Sequence, residues 1–256
     1  MSGKNTYLAL FFKAIPIGLA NTLPGISGGT LALVLNIYET LINAIKNIKI
    51  KELFVIGFGA VVGVLFGSAV ITDLYQNQPL LINYFLLGLV ITSAHSTYKK
   101  IGKLTFLKML IIILSFVLAL FLSQGLKPGF IAQEGLILFF VAGFLGSIAM
   151  ILPGISGGTL LILLGVYQPV LQAINQFNFL ILLVFGAGVV IGLLVFAWLF
   201  SYLLKKHQSQ IMVVLTGLIL GSAAAVWPTA FQIKGLISLL VGAALIIILE
   251  FIGQKI

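Results

Sequence analysis

Cysteine and arginine are both absent from this 256-residue chain. Without cysteine there is no disulfide, no thiol nucleophile and no thiolate metal site. Without arginine there is no planar guanidinium to grip a phosphate in bidentate fashion; all 14 basic residues are lysines. Charge is scarce altogether, at 7% of residues, where soluble globular domains carry roughly 25%. The five acidic residues and two histidines form no cluster at metal-ligand spacing, and no cofactor is expected. Hydrophobic residues make up 61% of the chain and the mean hydropathy is +1.25. A soluble domain is excluded, and an all-α polytopic membrane protein is expected. The net charge of +9 comes from lysines placed between apolar stretches, so it reads as membrane topology and gives no reason to expect a nucleic-acid partner. The first apolar stretch runs into the motif described next and shows no small-residue cleavage site, so no signal peptide is expected.

One stretch recurs. Leu23-Pro24-Gly25-Ile26-Ser27-Gly28-Gly29-Thr30-Leu31 returns unchanged as Leu152-Pro153-Gly154-Ile155-Ser156-Gly157-Gly158-Thr159-Leu160, 129 residues later. Each copy interrupts an apolar run. Backbone that leaves a helix inside a bilayer must find polar partners within the protein or line a cavity. Paired interruptions in the two halves of a chain are the sequence pointer to a transporter's binding site. The same offset matches Phe11 to Phe140, Ala20 to Ala149, Tyr38 to Tyr167, Gly57, Gly59 and Gly63 to Gly186, Gly188 and Gly192, Gly88 to Gly217, and Ser93 to Ser222. The chain is a duplication, with repeat 1 over 1–128 and repeat 2 over 129–256.

Each repeat reads as five helical pieces, at 6–22, 30–46, 53–72, 81–98 and 104–122, then 134–151, 158–174, 178–203, 210–226 and 234–252. Twelve lysines (Lys4, Lys13, Lys46, Lys49, Lys51, Lys99, Lys100, Lys103, Lys108, Lys205, Lys206, Lys255) fall on one side of the implied topology, and Lys127 and Lys234 on the other. The positive-inside rule makes the first side cytoplasmic, with both termini. An odd number of crossings per repeat then inverts the second copy relative to the first. Lysine placement does not decide whether the motif-flanking helices span or turn back. Glu39 does bear on it: nine residues after Thr30, it lies roughly 14 Å along a helix from the break. A break at the midplane puts Tyr38 and Glu39 at the interface, whereas a full span puts a carboxylate near the bilayer centre at about 3 kcal/mol. Two inverted-topology repeats are therefore expected. Each is a re-entrant helical hairpin (6–46 and 134–174) plus three transmembrane helices, with 30–46 and 158–174 as the second arms.

Pro24-Gly25 and Pro153-Gly154 end one helix, Ser27 and Ser156 suit the N-cap of the next, and Gly28-Gly29-Thr30 and Gly157-Gly158-Thr159 occupy its first turn. First-turn N–H groups lack helical acceptors and sit at the positive end of the helix dipole, so they suit an anion. On this reading the glycines let a phosphate oxygen approach the backbone and the hydroxyls add donors without charge. The plain structural alternative is a tight turn with close helix contacts.

Pro-Gly-Ile-Ser-Gly-Gly-Thr followed by Tyr38-Glu39, with a second copy closing on Gly165-Val166-Tyr167, resembles the bacterial polyprenyl-phosphate transporters, formerly a domain of unknown function. The resemblance covers nearly the whole chain. It implies a flippase that returns undecaprenyl phosphate to the cytoplasmic leaflet of the bacterial cell membrane for envelope synthesis. The site residues it implies are Asn21, Pro24, Gly25, Ser27, Gly28, Gly29 and Thr30, with Pro153, Gly154, Ser156, Gly157, Gly158 and Thr159; Tyr38 and Glu39 are accessory. One departure is Asn36, which stands where the family pattern, like Gly165 here, has glycine.

Lys13 either reaches a phosphate from the cytoplasmic side or snorkels to the interface. Glu39 is the acidic candidate for coupling, and His95 reads as interfacial. Asp73, Glu52, Glu134 and Glu250 fall at span ends, facing water. Gly59, Gly63 and Gly67, and Gly217 and Gly221, read as helix-packing steps. Two other functions compete. A polyprenyl-pyrophosphate phosphatase would need positive charge on the transferring oxygens, yet glycine follows Ser27 and Ser156 and no arginine exists; the chain is therefore expected not to be an enzyme. A small-anion carrier or channel would use the same helix tips along a continuous aqueous path, whereas a lipid needs a groove open sideways. Homo-oligomerisation is left open.

Overall fold

The computed structural model describes residues 3–21, 27–124 and 135–255. Pro24 and Gly25 of the first motif, and Lys127 and Glu134, lie outside the described residues. Every described element is helical. The first half holds α1 (Gly3–Asn21), α2 (Gly28–Val34), α3 (Tyr38–Lys46), α4 (Ile50–Asn77), α5 (Pro79–Tyr98) and α6 (Phe106–Gln124). The second holds α7 (Leu136–Ile151), α8 (Gly157–Leu163), α9 (Tyr167–Asn175), α10 (Phe179–Ser222), a 3₁₀ turn (Ala223–Val226) and α11 (Ile233–Lys255). Among the described residues four helices are long and apolar enough to cross a membrane, or up to six if each bent pair, α2–α3 and α8–α9, counts as one span. Large apolar side chains such as Phe54, Phe66, Phe106, Ile137, Trp198 and Leu240 stand exposed on the outer faces of these helices. Helices that are apolar on the outside as well as the inside belong in hydrocarbon.

The second arms differ from the expectation. The stretches 30–46 and 158–174 are each two short helices, bent by 116° between α2 and α3 and by 101° between α8 and α9. Each bend turns on a left-handed residue, Asn36 at φ 56° and Gly165 at φ 73°. The departure from the family pattern is thus accommodated, because asparagine tolerates the left-handed region better than other side-chain-bearing residues. Its amide oxygen accepts a hydrogen bond from Lys100 Nζ at 3.2 Å. Glu39 accordingly opens a new helix after the bend and does not lie nine residues up a straight one. Asn36→Val, a β-branched residue at positive φ, is expected to destabilise by about 1–3 kcal/mol, while Asn36→Gly leaves the thermal midpoint near wild type; a melt of both in detergent checks this.

The separation expected at 204–209, between spans 178–203 and 210–226, is present as a kink. Phe179–Ser222 is two helices joined across this kink at His207, whose torsions are non-helical (φ −134°, ψ 41°). Its counterpart 129 residues earlier, Gln78 (φ −141°, ψ 53°), separates α4 from α5. Ile48 (φ 49°) and Phe177 (φ 52°) match in the same way, as do Lys49 (φ −76°, ψ 82°) and Asn178 (φ −74°, ψ 84°). The duplication seen in sequence therefore extends to backbone torsions.

Packing repeats too. α1 lies on α4 as α7 lies on α10, and α5 lies on α11 as α6 lies on α10, so the two halves interlock. Gly59 and Gly63 face the carbonyls of Phe11 and Ile15, and Gly188 and Gly192 face those of Phe140 and Phe144. Gly217 and Gly221 meet Ile112 and Phe116 of α6. A Cβ at any of these glycines would strike neighbouring backbone, as expected of helix-packing steps.

Candidate functional site

Ser27 and Ser156 each start a helix within their motifs. Both are N-caps with extended backbone (φ −96°, ψ 140° and φ −95°, ψ 120°). Ser27 Oγ accepts from Gly29 N at 3.2 Å and Ser156 Oγ from Thr159 N at 3.3 Å. Asn21 Oδ1 accepts from Gly28 N at 3.1 Å, satisfying another first-turn donor of α2.

The two motifs meet. Ser27 Oγ donates to Leu152 O at 3.1 Å, with Met150 O at 3.4 Å. Gly154 N donates to Thr30 Oγ1 at 3.3 Å. Gly29 lies against the Ile151 carbonyl so closely that a Cβ would overlap it. Gly154 takes φ 82° and backs onto Leu218 and Ile219 of α10. Pro153 is buried beside it.

The copies are not equivalent. Every residue of α2 is buried, as is Ser27, whereas Ser156 is exposed and Gly157, Gly158 and Thr159 are half-buried. The space beside the junction is a cavity of about 50 Å³ lined by Ser27, Gly154, Ile155, Ser156, Thr159, Leu160 and Leu163, by Ala119 and Leu122 of α6, and by Ser222 and Ala225. One water needs roughly 10–15 Å³ by this measure, so the cavity admits a group of several heavy atoms. Among the described residues four hydroxyls reach its wall and no charged side chain does. Ser222, singled out in the sequence only as the register match of Ser93, lines the cavity, and its hydroxyl donates to Ile219 O at 2.7 Å. Ala119, Leu122 and Ala225 carry no sequence signal of a site.

The glycines divide. Gly28 faces the Asn21 amide and Ile17, and Gly157 faces the Gly146 carbonyl, so both serve packing in this conformation. Gly158 has open space, with Ser156 Oγ the nearest atom at 3.9 Å.

The accessory residues sit elsewhere. Tyr38 is buried edge-on against Phe200, and its hydroxyl has no partner among the described residues. Glu39 is exposed, in a polar recess shared with Thr40, Lys49, Glu52 and Lys205. Lys13 is buried and donates to Gly253 O at 3.3 Å. His95 is exposed. Glu250, expected to face water, instead accepts from Ser96 Oγ at 2.7 Å and pairs with Lys99 at 3.8 Å, tying α11 to α5. Among the described residues no group of His, Asp and Glu could hold a metal.

Outward-facing apolar helices around two Ser-capped, broken helices that share one cavity define a multi-pass α-helical membrane protein built on an internal duplication. The chain belongs to the VCA0040-like family, described as undecaprenyl phosphate translocase-like, whose model matches residues 17–242. It is similar to the polyprenyl-phosphate transporter of Vibrio cholerae serotype O1, at 34% identity over 89% of this chain and 80% of the relative. It is also similar to the polyprenyl-phosphate transporter of Staphylococcus aureus, at 29% identity over 84% of each. No solved structure matches the chain significantly.

Proposed function

We propose that this protein carries polyprenyl phosphate, with undecaprenyl phosphate as the physiological lipid, from the outer to the cytoplasmic leaflet of a bacterial cell membrane. The observation that carries this reading is the cavity between the motifs, where the N-terminal end of α8 and the hydroxyls of Ser27, Ser156, Thr159 and Ser222 converge, with no charged side chain among the described lining residues. Hydroxyl and amide donors hold a phosphate in a low-dielectric place. The chain has no arginine, and no lysine lines the cavity among the described residues, which lets the phosphate leave again. Both relatives are named for the same cargo.

In the proposed topology the repeats are inverted, each motif lies at the tip of a re-entrant hairpin near mid-membrane, and both termini are cytoplasmic. The hydroxyls of Ser27 and Thr30 now bond to the second motif, which closes the first tip. An arriving phosphate competes for those same groups, so cargo binding loosens the junction between the tips. The small-anion reading predicts transport of inorganic phosphate. The phosphatase reading lacks support in the cavity, whose wall among the described residues carries no histidine, carboxylate or lysine. Liposomes holding the purified protein test all three. Polyprenyl phosphate is expected to cross between leaflets with no release of free phosphate; released phosphate, or transport of inorganic phosphate alone, contradicts the proposal.

A further inference from the structure

A groove apart from the motif cavity lies between α1 and the end of α11. It holds about 420 Å³, and its walls include Leu8, Phe12, Pro16, Leu249 and Ile252. Leu8 and Phe12 are each 58% exposed, so its lip opens to the surroundings. Its lining also includes a cation. Lys13 is 8% exposed, its ammonium donates to Gly253 O at 3.3 Å, and among the described residues no carboxylate lies within 4.0 Å of it. Gly253 belongs to the last turn of α11, where a helix end favours a cation. That explains the position of the ammonium but supplies no counter-charge. Charges at membrane depth are expensive, and those that persist are paired or mark a path. A negative head on an apolar chain complements a lone ammonium in an apolar trough.

We infer that this groove is the side port by which polyprenyl phosphate passes between the cytoplasmic leaflet and the motif cavity. Its isoprenoid chain lies along Leu8, Phe12, Pro16, Leu249 and Ile252, and its phosphate rests on Lys13. The inference depends on the transport reading above and adds the route. Lys13 and Asn21 share α1 eight residues apart, about 12 Å of rise. Asn21 holds Gly28 of the first motif. Leu35, at the bend after α2, is also part of the groove wall, with Gly253 packed on its backbone. The groove thus touches the first hairpin at its bend, and α1 joins it to the tip.

The test uses the full-length protein in liposomes with a polyprenyl phosphate bearing a diazirine in its tail. Irradiation is expected to place adducts on residues 8–16 and 249–252 by mass spectrometry. Lys13→Met, which keeps the stem and removes the charge, is expected to lower that labelling about tenfold, the worth of one charged hydrogen bond. Lys13→Arg retains most of it. Should Lys13→Met melt early, Ile252→Trp blocks the lip and is expected to lower labelling and translocation together. Unlabelled polyprenyl phosphate competes the adducts away and phosphatidylglycerol does not. Equal labelling in folded Lys13→Met overturns the port, and equal competition by phosphatidylglycerol makes the groove a bulk-lipid site. A wild-type protein that translocates the lipid without adducts here overturns the port alone. A wild-type protein that fails to translocate overturns the transport reading and the port with it.

Discussion

Ser27→Ala combined with Ser156→Ala is expected to lower binding of polyprenyl phosphate by about a hundredfold or more while leaving the protein folded. Both hydroxyls line the cavity, and each hydrogen bond to a charged group is worth about 1.5–3 kcal/mol. The structural cost is smaller. Each serine caps a seven-residue helix, and losing an N-cap costs about 1 kcal/mol. Ser27 adds its bond to Leu152 O, so the Ser27 single variant should melt lower than the Ser156 single variant. Titration of the double variant with polyprenyl phosphate, alongside a melt, separates the two effects. Wild-type affinity in a folded double variant would remove the hydroxyls from the site.

Gly29→Ala and Gly158→Ala are expected to fail in opposite ways, although the repeat makes them equivalent. A Cβ at Gly29 would overlap the Ile151 carbonyl, and backbone on both sides leaves little room to yield. Overpacking of this kind costs about 1–3 kcal/mol, so the variant should melt about 5–10 °C lower and lose transport through loss of the junction. At Gly158 the nearest atom is 3.9 Å away. Gly158→Ala should melt like wild type, yet on the proposed reading its methyl would stand where a phosphate oxygen approaches the first turn of α8, slowing transport about tenfold, as when one charged hydrogen bond is lost. If Gly158→Ala transports at the wild-type rate, no oxygen comes close to that amide.

Much of this architecture is legible from residues alone. Nine identical residues at a fixed offset announce the duplication, and the serine after each Pro-Gly marks both caps. The helix-packing glycines follow from their spacing. The bends at Asn36 and Gly165 are half-legible, since glycine in one copy signals a left-handed residue that asparagine hides in the other. The kink in α10 at His207 falls within the polar run Lys205, Lys206, His207 and Gln208, which the sequence marks as a connection. The motif glycines mislead for a different reason. Composition gives room for a ligand and room for a neighbouring backbone the same signature, and only the fold shows Gly29 against Ile151. The partner of Lys13 lies 240 residues away, beyond any local pattern. The unequal burial of the two motifs is likewise invisible in identical strings, because it comes from what packs around them.

On the proposed reading a phosphate sits where the two Ser-capped helices meet. An experimental structure with bound polyprenyl phosphate tests it most directly. Phosphate density is expected within hydrogen-bond reach of the hydroxyls of Ser156 and Thr159, with Ser27 and Ser222 completing the cage. A bound lipid whose phosphate lies elsewhere, with Ser27 and Ser156 still closed on each other and the space between them filled by side chains, would contradict it.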